Sequence, residues 1–246
     1  MKISARKKAE NRQAILAAAV DLIIENGVRS TSMRAVARQA GVGDATIYNY
    51  FPTKEALIQG YYIEAFSQAV DSLHSVEDFE QCNLNERLQI LFEAILECFL
   101  ADREFVNLTF ASVFFDPIPA GKSVRAMRNQ FMGVVKEQFQ AAEESGELTE
   151  MMFRELVCHF VWDFFVAVVL YWLRDDSEQF SNTTVFIDRS MDLGYSVIRS
   201  GVLDKITGLA SFLFKSHILS RVDMFDEHKA TFRKLKQEFM DNVEPR

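Results

Sequence analysis

Thr46, Asn49 and Tyr50 place a hydroxyl, an amide and a phenol within five residues, directly after the turn Gly41-Val42-Gly43. An Asn side chain pairs bidentately with adenine, and a Thr methyl meets the methyl of thymine. Gly43 opens a short helix with free backbone N–H groups, which suit a phosphate. Lys54, at the start of the following helix, is within reach of a nucleic-acid backbone. No comparable set of catalytic groups occurs. The four histidines (His74, His159, His217, His228) lack HxxxH or HxH spacing, and there is no GxSxG, Walker or GxGxxG sequence. Neither a metal, a cofactor nor an enzymatic activity is expected.

These groups need two short helices and a tight corner to hold them. The spacing predicts a helix over 4–26, with Ile15, Ala18, Ala19, Leu22 and Ile23 on one face and Asn26-Gly27 as its stop. Thr31 is expected to cap a second helix running to Ala40, with Met33, Val36 and Ala37 turned inward. Gly41 supplies the left-handed residue that ends it. A third helix is expected from Asp44 to about Tyr50, with Val42 and Ile47 plugging the corner, and a fourth from Lys54 to Leu73. Two short helices around a Gly-containing turn form a helix-turn-helix, whose second helix enters the major groove. Tyr48 and Phe51 have a second reading as rings that lock the motif together, and Phe51 is assigned to that role.

Charge divides the chain in the same way. Residues 1–60 hold nine Lys/Arg against five Asp/Glu, although the whole chain carries a net charge of −8. A basic head on an acidic body points to a polyanion at the head alone. The basic arm from Lys2 to Arg12 is either a solvated tail or a strand-following arm. With 49 % apolar residues, 22 Phe and only 4 Pro, the chain is expected to be globular and all-α. Three scattered cysteines and no signal peptide point to the cytoplasm. The apolar run Val157–Leu173 is interrupted by Asp163 and is read as a buried helix, not a membrane span.

In Ile15, Ala18, Ala19 and Gly27, and then in TSMRAVARQAGVGDATIYNYFPTKEALI from Thr31 to Ile58, the sequence resembles the tetracycline-repressor (TetR) family of bacterial transcription regulators. The resemblance covers about the first 60 residues. It implies DNA-contacting positions at Thr31, Met33 and Arg34, at Gly43, Asp44, Ala45 and Thr46, and at Tyr48, Asn49, Tyr50 and Lys54. Gly43 replaces the commoner Ser or Thr of the family. Asp44 is acidic where a basic or neutral residue is usual, and it either caps the helix or accepts from cytosine N4.

The resemblance further implies two parts: a DNA-binding domain over 1–54, linked by helix 54–73 to a helical effector and dimerisation domain over 55–246. Helices are expected at 84–101, 103–115, 122–145, 149–174, 183–200, 203–215 and 218–240. The last carries Ile218, Phe225, Phe232 and Phe239 at seven-residue intervals. A homodimer built on helices 149–174 and 183–200 would read a palindromic operator. An apolar or aromatic effector is expected among the dense rings, with Phe110, Phe114, Trp162, Asp163 and Phe165 as candidates. Asp163, set in an apolar run, needs a cationic ligand, a basic neighbour or solvent at the dimer seam. Asp175-Asp176 reads as a solvated helix end. The competing reading is an architectural DNA binder without an effector.

Overall fold

The computed structural model describes residues 4–115, 123–151 and 153–213. All regular structure among them is helical. The amphipathic helix expected at 218–240 lies outside the described residues. The chain divides into two compact units, one ending at Tyr195 and one beginning at Ser196.

The first helix, α1 (Ala5–Ser30), buries Ile15, Ala18, Ala19 and Ile23 as its periodicity requires. It does not stop at Asn26-Gly27. Gly27 adopts φ 78°, kinks the helix, and the chain recovers one more turn to Ser30. A side chain at this φ would be strained, so glycine is needed here.

Helix α2 (Met33–Gln39) is capped by Ser32, whose hydroxyl accepts from the Ala35 N–H at 3.2 Å, and not by Thr31. Thr31 faces inward, with its Oγ1 2.9 Å from the carbonyls of both Leu22 and Gly27. With its hydroxyl on these two carbonyls, the threonine is not free to cap α2.

Gly41 at φ 66° closes α2, and the Val42 N–H reaches back to the Ala37 carbonyl at 3.0 Å. Helix α3 (Ile47–Tyr50) is one turn long. Residues 44–46 are turn, because the N–H groups of both Thr46 and Ile47 bond the Gly43 carbonyl, at 2.8 and 3.2 Å. Asp44 therefore caps nothing; its carboxylate sits 4.0 Å from Arg34 Nε.

Thr53 caps α4 (Lys54–Leu73) by accepting from the Ala56 N–H. This helix packs on α1, on α5 (Leu84–Leu100), on α6 (Arg103–Phe114) and on α7 (Ser123–Glu144). A reciprocal pair between Asn83 and Glu86 caps α5.

Helix α8 (Arg154–Trp172) lies against α7 and buries Cys158, Trp162, Phe165, Val169 and Trp172 at alternating steps of four and three. Burial pushes the Cys158 thiol up to about 11, so it stays protonated and serves as packing. The chain then turns into α9 (Ser181–Arg199); α10 (Val202–Leu213) belongs to the second unit.

The turn between α8 and α9 corrects the reading of Asp175-Asp176. Asp176 is exposed, but Asp175 is buried. Its carboxylate accepts from Ser177 N and Oγ, at 3.0 and 2.6 Å, and from Thr183 N and Oγ1, at 2.8 and 2.6 Å. On the other side Arg103 donates to the carbonyls of Trp172, Leu173 and Asp175 and stacks over the Trp172 and Phe180 rings.

The donors from Ser177, then Thr183, hold the Asp175 carboxyl well below the usual carboxylate range. A depressed folded pKa means that the ionised form favours the fold. That stabilisation is complete above the ordinary value of about 3.9 and is lost as pH falls below it. In urea titrations between about pH 7 and pH 3, the advantage of the native chain over Asp175→Asn should shrink at the acid end. Parallel curves would show that the carboxylate is not what holds the turn.

Candidate nucleic-acid interface and aromatic core

The turn and α3 present an exposed edge made of Gly43, Asp44, Ala45, Tyr48 and Asn49, with Thr46 half-buried beside them. Tyr48 is 47 % exposed, unusual for a ring that only packs. Asn49 has its amide in the open and one turn behind the Ala45 position, so both address the same side. Ile47, the aliphatic residue of the four, is buried and turns α3 inward on that side.

Tyr50 is half-buried, and its Oη accepts from Asn11 Nδ2 of α1 at 3.1 Å. This contact ties the end of α3 to the start of α1. Asn11 was not singled out from the sequence, though it stands four residues before the buried Ile15 and so on the inward stripe.

Arg34 is exposed on α2 and Met33 half-buried. Two expected positions are differently employed. Thr31 is 4 % exposed and its hydroxyl is taken up by α1, so no free group of its side chain reaches the surface. Lys54 is half-buried, and its Nζ donates to the carbonyls of Val28 at 2.6 Å and Thr31 at 3.0 Å. It neutralises the negative end of α1 and holds the corner into α2.

Phe51 takes the packing role. It is 2 % exposed, with the Arg12 guanidinium 4.7 Å above its ring centroid. Below it lies Gly60 of α4, where a Cβ would come within 2.5 Å of Phe51 Cε1. Arg12 also approaches Glu64 at 3.6 Å, so α1 is joined to α4 on both sides of the ring.

The body holds a continuous cluster of rings. Phe110 stacks on Phe114 at 4.1 Å, Phe114 meets Trp162 at 5.9 Å, and Trp162 meets Phe165 at 6.1 Å. All four aromatic residues expected at an effector site are therefore brought together. Phe131 joins them from α7, 5.2 Å from Trp162, and Tyr62 from α4, 5.5 Å from Phe114.

Within this apolar surround Tyr62 Oη and Thr109 Oγ1 lie 2.7 Å apart, fully buried. Burial holds the Tyr62 phenol neutral, well above its usual range. The pair was not foreseen, because a Tyr on a long amphipathic helix gives no sign of the Thr it will meet 47 residues later.

Asp163 does not join the cluster. It is exposed on the outer side of α8, between Phe160 and Ala167, because Trp162 and Phe165 take the inward positions. Among the described residues no group of three His, Cys, Asp or Glu is placed to hold a metal ion. One described helix, Arg154–Trp172, is long and apolar enough to cross a membrane; its inner side is packed against α7.

Comparison with known proteins fits both halves of this arrangement. The profile of bacterial regulatory proteins of the tetR family matches residues 15–61, and that of the tetracyclin repressor-like C-terminal domain matches residues 87–213. The chain belongs to the TetR family. It is similar to the fatty acid metabolism regulator protein of Bacillus subtilis, with 22 % identity over 70 % of this chain and 89 % of that one. An HTH-type transcriptional regulator of Staphylococcus aureus is 35 % identical over 45 % of this chain and 67 % of its own length. Among solved structures, the regulator FadR from Bacillus subtilis in complex with stearoyl-CoA superposes with a TM-score of 0.59 at 20 % identity, covering 77 % of this chain and 98 % of that one. TetR-family membership makes this chain a DNA-binding transcriptional regulator. Asn49 and Tyr48 thus occur in a helix-turn-helix of the TetR type.

Proposed function

We propose that this chain is a dimeric repressor that binds a palindromic operator in the cytoplasm and is released by a small apolar or aromatic effector. The observation that carries the DNA half is the exposed edge Tyr48-Asn49 with Thr46 half-buried beside it, braced from behind by Ile47, Phe51 and the Asn11–Tyr50 contact. In this reading Asn49 and Thr46 touch base edges, Tyr48, Arg34 and the Gly43–Ala45 turn follow the phosphates, and Met33 fills the groove wall. Asp44 offsets Arg34 when DNA is absent. Lys54 contributes by fixing the α1–α2 corner, and Tyr50 by orienting α3.

The effector half is supported by the ring cluster of Phe110, Phe114, Trp162 and Phe165, with the Tyr62–Thr109 pair as its polar point. That a structural neighbour binds stearoyl-CoA favours a ligand with a long apolar chain. Such a ligand would favour one arrangement of the body and thereby set the distance between two recognition helices. Operator affinity falls when that distance departs from one DNA turn, about 34–36 Å.

The dimer itself is supported by the outer side of α8 and α9. Leu156, Phe160 and Tyr171 on α8, and Val185 and Leu193 on α9, are all exposed. So many exposed large apolar side chains on two successive helices favour a contact with a second copy.

Selection of genomic fragments by the purified protein at physiological salt tests the whole reading. The expected result is a twofold-symmetric site in front of a few genes. Recovery without sequence preference favours an architectural DNA binder instead. On the selected site, Asn49→Ala should relax preference at one base pair by about 1–3 kcal/mol, measured by competition between single-base operator variants. Uniform weakening over all the variants would remove Asn49 from base readout.

A further inference from the structure

Two opposite charges interrupt the exposed apolar side chains of α8 and α9. On α8, Asp163 stands between Phe160 and Ala167, and all three are exposed. On α9, Arg189 stands four residues after Val185 and four before Leu193, again all exposed. Residues three and four apart share a helix face, so each charge lies among the apolar groups and not beyond them.

Neither charge is answered within this chain. Among the described residues no ion pair includes Asp163 or Arg189. The basic groups of α8 and of the turn after it are engaged. Arg154 pairs with Glu143 at 2.6 Å, His159 Nδ1 lies 2.6 Å from the Glu155 carbonyl oxygen, and Arg174 donates to the Leu170 carbonyl at 3.2 Å.

The rings explain why α9 of the same chain leaves Asp163 alone. Phe164 and Tyr171 both pack on Phe186, at 5.6 and 4.9 Å, so their side of α8 looks towards its own α9. Asp163 precedes Phe164 by one residue and is turned about 100° away from it.

The same contacts set the height of the two charges. Phe186 lies level with the middle of the span from Phe164 to Tyr171, with α9 running back along α8. Arg189, three residues on, is about 4.5 Å further along, which brings it to the height of Asp163. Two residues at one height meet across a twofold axis that runs along the helices or crosses them at that height.

We propose that Asp163 of one copy pairs with the partner's Arg189, twice across a twofold axis, and that this double pair makes the seam select its own kind. The inference rests on the dimer of the proposed function and names what that seam recognises: a surface with the same two charges in the same places. Apolar groups alone would accept many helix pairs. The ion pair adds little affinity, since desolvation takes back most of its attraction. A wrong partner, however, leaves a charge unmatched or sets like charges together, and discrimination follows from that cost.

Sedimentation equilibrium of the full chain without DNA tests this. The native chain is expected to be dimeric. Asp163→Arg and Arg189→Asp should each raise the dimer Kd on the order of 100-fold, because each sets like charges together twice. An equal mixture of the two variants should recover the native dimer, since opposite charges then meet at both crossings. Should either exchange prevent folding, Asp163→Asn keeps the side-chain shape and removes one charge; it should raise Kd about tenfold.

The inference is overturned if the single variants dimerise like the native chain, if the mixture stays as weak as its components, or if Asp163→Asn leaves Kd unchanged. Recovery in the double variant Asp163→Arg/Arg189→Asp but not in the mixture would put the pair inside one chain and overturns it equally. A native chain that sediments as a monomer overturns the dimer reading and the pair with it. A native dimer with indifferent variants removes the pair alone.

Discussion

Phe51→Ala should lower the free energy of unfolding by about 3–5 kcal/mol and abolish operator binding with it. The ring is held from three directions. Arg12 of α1 lies over one face, Gly60 of α4 admits the edge, and the backbone of Phe51 itself closes α3 through its N–H to the Ile47 carbonyl at 2.9 Å. Removing the ring leaves a void that none of the three can fill, since each is fixed by a separate helix. The companion substitution Gly60→Ala approaches the same contact from the other side. Its Cβ would meet Phe51 Cε1 at 2.5 Å, so ring or helix must shift, at about 1–3 kcal/mol. Urea unfolding of both variants measures this. A loss below about 1 kcal/mol for Phe51→Ala would mean that the ring is not the joint between the two helices.

On the proposed dimer and palindromic operator, Phe160→Asp is expected to give monomers and to pull operator affinity down on the order of 10³-fold, towards that for arbitrary DNA. Phe160 is 63 % exposed in the middle of α8, and Leu193 of α9 is 66 % exposed. Leu156, Phe160, Asp163, Ala167 and Tyr171 follow one another at steps of four and three, which places them on one face. A twofold axis through such a face sets each side chain against its counterpart, so one added carboxylate is buried twice. The Asp175 and Arg103 contacts that fix the α8–α9 turn keep the two halves of the face in register. Sedimentation equilibrium and titration of an operator duplex read the two effects. A variant that stays dimeric and binds fully would place the contact elsewhere.

The helix-turn-helix was legible from the sequence because its constraints are local. Gly41 and Gly27 carry positive φ, Ile47 and Val36 are buried, and Phe51 packs as assigned. What failed there was a matter of single hydrogen bonds: the Thr31 hydroxyl went to the carbonyls of Leu22 and Gly27, and Ser32 took the cap.

The body was legible as helices and as a gathering of rings, but not as faces. In the run Val157–Leu173 nearly every position is apolar, so periodicity carries no phase. Phe160 and Trp162 look alike in the sequence, yet one is outside and one inside. Asp163 was drawn into the effector site for the same reason. Asp175 was read as solvated because its four donors come from residues that only the folded turn brings round.

Helix α4 begins two residues after Pro52 and ends 20 residues on, about 30 Å away. Gly60 grips the DNA-binding part through Phe51, while Tyr62, half a turn later, stands in the ring cluster. A rigid rod pinned near one end obeys geometry alone: a tilt of about 5° sweeps its far tip by some 2–3 Å over that length. What reaches the operator is then an angle and not a chemical identity. In the proposed function, any molecule that wedges the rings apart by the same amount delivers the same message, and the residues around the rings are free to change their chemistry while the reading head stays as it is.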